Sequence, residues 1–325
     1  MAWLPFIFIT LGILIGLIKL PKKIFAIVEP VGNTALIVLM LSIGVNIGIS
    51  DTAVKSIGFM GLQSLIITLC ALFFSVGFVF ILEKTILPLD KLQNKILSLN
   101  LNNLHNLNII KTEDNPDKKS IFSNLFIWII PICVIAGIFL GAFLPQNLLS
   151  ENLTGTVFTV SLMILYVTVG IGLSQNRRVF AYVKLLGWKI ALISAAIIIG
   201  SLIGGLISGL ILNMKLHISV LSACGMSYYS LTGAFMTQIY GIDAGTYGFL
   251  VNVMREFLTI LLLPVLIRIS KGSPIACGGA ADMDTVLMPV TKFVGAELGL
   301  VVLITGTILT FAVPVLLQLL SNILF

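Results

Sequence analysis

A chain of 325 residues that is 58% hydrophobic and only 10% charged, with a mean hydropathy of +1.13, has too little polar surface to close a water-soluble globule. Its formal net charge of +6 does not point to nucleic acid, because Lys and Arg gather in short segments between apolar runs, where they set membrane orientation. The four cysteines, Cys70, Cys133, Cys224 and Cys277, stand apart with no CxxC, so they read as small hydrophobes, and neither metal nor cofactor is expected.

The composition predicts an all-α polytopic integral membrane protein with about 8–10 transmembrane or re-entrant segments, since each crossing needs about 20 apolar residues. Met1 to Leu20 lacks a basic start and a cleavage site, and is expected to be a retained first span, Trp3 to Ile18. Lys19, Lys22 and Lys23 then place the following loop in the cytoplasm and the N-terminus outside. Span two is expected from Asn33 to Ser50, closing at Asp51, and span three from Ile57 to Leu82. Residues 83–121 are polar and Asn-rich, with Lys84, Lys91, Lys95, Lys111, Lys118 and Lys119; they read as a solvated cytoplasmic loop.

Spans four (Phe122 to Leu144), five (Thr154 to Leu173) and six (Leu186 to Leu212) repeat the text of the first three. Gly12 and Gly16 match Gly137 and Gly141, Leu20-Pro21 matches Leu144-Pro145, and Val45 to Asp51 matches Val169 to Gln175. A three-span unit ends on the opposite side from where it began, so residues 3–82 and 122–212 are expected to form an inverted repeat, a signature of secondary transporters. Only the first copy keeps a charge, Asp51 against Gln175.

The remaining region, 213–325, carries the polar motifs. Counting His217 to Tyr240 as a full crossing would put Arg268 outside, so a discontinuous or re-entrant segment is expected around Gly225 to Gly233. The C-terminus then lies outside. Asn252, Glu256 and Thr259 fall on one helical face as a polar stripe. Charge inside a span is costly, which makes Glu256 a candidate for holding a cation or a proton, or else a structural pair with Arg255 or another helix. Asp51, with Asn46 a turn inward, is either a second such carboxylate or an ordinary surface group.

Gly278, Gly279, Asp282 and Asp284 before Pro289 read as a re-entrant hairpin gripping substrate, or as a polar surface loop. Tyr228, Tyr229, Ser230 and Thr232 offer hydroxyls near Gly233 at the other break, where helix packing is the plainer explanation. No phosphate loop, zinc motif or nucleophilic triad appears, so an enzyme is not expected.

At these motifs the chain resembles the bacterial lysine exporter O family. The resemblance rests on Ser230-Leu231-Thr232-Gly233, Asn252-Val253-Met254-Arg255-Glu256 with Leu263-Pro264, and Gly278-Gly279-Ala280 with Met283-Asp284-Thr285. It implies export of L-lysine across the inner membrane in exchange for protons, with two essential membrane-embedded acids that carry over to Asp51 and Glu256. The chain departs from the family text at Gly225-Met226-Ser227-Tyr228-Tyr229-Ser230, where Gly-Phe-Gly-Trp-Tyr-Ser is usual. It departs again at Ala281, in place of Thr, and at Met288. The expected partners are a cationic amino acid, protons and the bilayer, with a homodimer as the candidate assembly and no nucleic acid. A channel, an amino-acid sensor and a sodium-coupled transporter are the alternatives.

Overall fold

The computed structural model of the protein describes residues 4–17, 22–49, 51–90, 92–93, 132–133, 135–143, 151–175 and 188–324. All regular structure among them is helical: α1 (Leu4–Leu17), α2 (Lys22–Ile49), α3 (Asp51–Thr85), α4 (135–143), α5 (Glu151–Gln175), α6 (Ala191–Ile211), α7 (Leu216–Cys224), α8 (Tyr229–Tyr240), α9 (Ile242–Ile269), α10 (Gly272–Gly278), α11 (Leu287–Val294) and α12 (Gly299–Ile323). Four stretches are long and apolar enough to cross a bilayer: Gly58–Thr85, Trp188–Ile211, Ile242–Ile269 and Gly299–Ile323. The protein is therefore a multi-pass membrane protein.

Two helix boundaries differ from the sequence expectation. Span two begins eleven residues early, at Lys22 rather than Asn33, and carries Pro30 in its interior. The proline lacks the amide for one helical bond, but the next turn is held by Thr34 Oγ1 donating to the Pro30 carbonyl at 2.8 Å. Asp51 does not close span two; it opens α3.

The first six helices pair reciprocally. α1 lies on α5, where Gly12 faces Val167 and Gly170, while α4 lies on α2, where Gly137 faces Leu41 and Gly44. Each glycine meets backbone of its partner, so the helices touch at main-chain distance. α3 and α6 form a third close pair, in which Ser75 and Ser201 share a hydrogen bond of 3.2 Å.

The C-terminal region folds around α9 and α12. α7 and α8 do not form one crossing: His217 at the start of α7 stacks on Tyr240 at the end of α8, with ring centroids 4.7 Å apart. They are the two arms of a helical hairpin. α10 and α11 make a second hairpin, whose two bases are joined by Gln93. Its Oε1 accepts from Lys271 Nζ at 2.5 Å, and its Nε2 donates to Glu297 Oε2 at 2.9 Å.

The hairpins enter from opposite ends of α3. Tyr247, next to the first hairpin's base, donates to Gln63 early in α3, while the amide of Gly272, at the base of the second, donates to Glu83 near its end at 2.9 Å. Along a helix those two positions lie about 30 Å apart, the thickness of the hydrocarbon core. The tips meet between them, where the Ala280 amide donates to the Met226 carbonyl at 2.8 Å.

Candidate functional site

Breaking a helix inside a membrane exposes backbone amides and carbonyls that water cannot reach, so neighbouring groups must serve them. α9 supplies two of those groups from consecutive turns. Asn252, fully buried, donates through Nδ2 to the Ser222 carbonyl at 2.9 Å and to the Gly248 carbonyl at 2.7 Å. Its Oδ1 accepts the Ser227 amide at 2.8 Å, so both ends of the side chain clamp the first break. That break turns through the left-handed region at Met226 (φ 47°) and Ser227 (φ 72°), where side chains are rare.

Arg255 serves the second break. Its Nε donates to the Cys277 carbonyl at 3.1 Å and Nη2 to the Ala276 carbonyl at 3.0 Å, both at the end of α10, while Nη1 donates to Ser201 Oγ at 2.9 Å. A cation at a helix C-terminus complements the negative end of the macrodipole. Glu83 does the converse at the start of α10, through the Gly272 amide. The seven-residue helix is thus held at both ends by charges of the right sign. Arg255 gives these bonds to backbone and Ser201, and the pairing with Glu256 considered from sequence is not what engages it.

Glu256 points elsewhere. It is 4% exposed and faces Thr285, Asp284 and Tyr229. Asp284 is solvent-accessible; its Oδ1 accepts from the Thr285 amide at 2.5 Å and from Thr285 Oγ1 at 3.3 Å. Tyr228 neighbours Asp284, and buried Tyr166 of α5 neighbours Tyr228. Glu256, Asp284, Tyr228 and Tyr229 therefore lie near one another where the hairpin tips join.

Asp282, wholly buried, has no hydrogen-bond partner on either oxygen and lies folded over Gly278, with Arg255 as its neighbouring cation. Gly279 takes φ 65° against the Met226 carbonyl. Ser230 and Gly233 are buried in α8, Gly233 against Phe249 and Gly245. Thr259 Oγ1 bonds back to the Arg255 carbonyl at 2.7 Å, so this member of the polar stripe is satisfied within its own helix. Asn46 lies in the last turns of α2 and Asp51 opens α3; their side chains lie outside the described residues. Thr285 entered the sequence reading only as the last residue of the Met283-Asp284-Thr285 motif, and Ser201 and Tyr166 not at all, since both carry no charge and sit in apolar text.

Two helical hairpins that enter from opposite ends of α3 and meet at their tips belong to a polytopic, all-helical membrane protein. Residues 131–321 match the family described as Lysine exporter LysO, and the chain belongs to that family. It is 30% identical over 161 residues to the lysine exporter LysO of Escherichia coli, a match spanning half of this chain and 54% of that protein. It is also 28% identical over 189 residues to a candidate lysine exporter of Haemophilus influenzae, spanning 58% of this chain and 95% of that one. The chain thus covers about half the length of the first of these relatives. No solved structure matches the chain.

Proposed function

We propose that the protein exports L-lysine or a close cationic amino acid across the bacterial inner membrane, exchanging it for protons at membrane-embedded carboxylates. The observation that carries the reading is Glu256, buried at the junction of the hairpin tips and facing Asp284 and Tyr229. A carboxylate withdrawn from water prefers its neutral form when alone and its ionised form beside a cation. One group can then carry a proton on one half-cycle and an ammonium on the other. Asp284 forms the accessible wall of the same site, and Asp51 is the second essential acid. Asp282 is the internal counter-charge to Arg255.

The reciprocal contacts of Gly12 and Gly137 support the inverted repeat of residues 3–82 and 122–212, which supplies the rocking scaffold. Lys84, Arg268, Lys271 and Lys292 gather at the end of the bundle that the second hairpin enters, which supports a cytoplasmic assignment for that end. Both termini then lie outside.

The test is reconstitution in liposomes. Lysine counterflow with lysine-evoked proton movement supports the proposal. Flux that follows only lysine's own gradient would indicate a channel, and strict Na⁺ dependence a sodium-coupled transporter. Glu256→Gln is expected to abolish counterflow with folding intact.

A further inference from the structure

The two hairpins present four half-helix ends near their tips. The end of α7 has Asn252 on the Ser222 carbonyl, and the end of α10 has Arg255. No side chain caps the start of α11 or of α8; the Asp284 carboxylate stands three residues before the first, bonded to Thr285, and Asn252 takes the Ser227 amide two residues before the second. Ser230 and Leu231 in the first turn of α8 are buried. Immediately before it, Ser227 is 3% exposed and its Oγ has no hydrogen-bond partner. Uncapped amides at a helix start together with an unused hydroxyl form a donor set for an anion. Tyr229, the first residue of α8, is also the residue that faces Glu256 and Asp284. The residue that opens the uncapped helix start is thus also the one whose side chain lies toward the two carboxylates.

We infer that the start of α8, with Ser227, is the subsite for the α-carboxylate of the transported amino acid, and that this subsite selects an amino acid over a diamine. The inference rests on the transport reading above and adds to it. Glu256 and Asp284 recognise ammonium groups, which a diamine also offers, so they cannot make the choice. A diamine in the site leaves the α8 amides and Ser227 Oγ unpaired in a buried place, and a site built to hydrogen-bond a substrate group strongly rejects an analogue lacking it. The second hairpin cannot take this role, because the Asp284 carboxylate stands at the start of α11 and repels an anion.

The experiment is lysine counterflow in proteoliposomes, with unlabelled L-lysine and cadaverine, which is lysine without its carboxylate, as competitors. Cadaverine is expected to compete at least about a hundredfold more weakly than lysine with the native protein. Ser227→Gly removes the hydroxyl and suits the positive φ, so folding is retained, and its thermal midpoint checks this. That variant is expected to weaken lysine about tenfold and leave cadaverine unchanged, narrowing the gap. Cadaverine competing as well as lysine with the native protein overturns the inference. So does a variant that weakens both competitors equally or neither. Absence of any lysine counterflow in the native protein overturns instead the transport reading beneath it.

Discussion

Replacing Arg255 by Met keeps much of its bulk but strips the donors from the Ala276 and Cys277 carbonyls and from Ser201. Two carbonyls left unpaired at a buried helix end cost about 2–6 kcal/mol together. We expect Arg255→Met to lower the thermal midpoint in detergent by several degrees, with Arg255→Lys intermediate because an ammonium lacks the planar fork. An unchanged midpoint would remove Arg255 from its structural role. The expense of a charge in an apolar helix made Arg255 and Glu256 visible in the sequence. Their partners were not visible, since backbone carbonyls at a helix end leave no residue signature. The polar stripe was legible as geometry, but its members divide the work: Asn252 clamps a turn, Thr259 bonds its own helix, and Glu256 lies toward Thr285 and Asp284. The departure of Ser227 from the family text gains a geometry as well, a left-handed turn with an unused hydroxyl.

Among the elements, α3 and α6 approach so closely that a Cβ added at Gly204 would lie 2.5 Å from the Ala71 Cα. The obstacle is backbone, so a larger side chain must part the helices. Gly204→Leu is expected to cost about 3 kcal/mol or more, read as loss of folded yield and a lowered midpoint; a native midpoint would contradict this packing. A gentler effect is expected at the base of the second hairpin. The Glu297 carboxyl is held below the ordinary glutamate range, first by its own backbone amide and then by Gln93. A depressed carboxyl contributes stability above its unfolded value and loses it as pH falls through the folded one. Hydrogen exchange of residues 272–298, corrected for intrinsic rates, should therefore rise in acid below that range, and Glu297→Gln should remove the dependence. Hydropathy marked α3, α6, α9 and α12 because each is a long apolar run. The expected start at Asn33 falls eleven residues short, because α2 runs on through Pro30, and a proline inside a helix is tolerated when its neighbours cover the lost bond.

For the whole molecule, two hairpins enter from opposite ends of α3 and join at Met226 and Ala280. The sequence pointed to a broken segment near Gly225 and, as one of two readings, to a re-entrant hairpin at Gly278 to Asp284. That the two tips meet was not legible, because it depends on which helix ends are neighbours. Gln93 illustrates the difficulty: it stands in polar text given no chemistry, yet it joins both bases of the second hairpin. Opposed tips bring Glu256 and Asp284 near Tyr229, which opens α8, so under the proposed function a change at either tip is felt at one site. The measurement that tests this most directly is lysine counterflow together with lysine-evoked proton flux, in liposomes holding the native protein or folded Glu256→Gln. The account predicts both signals with the native protein and neither with the variant. Native-like counterflow from Glu256→Gln would contradict it.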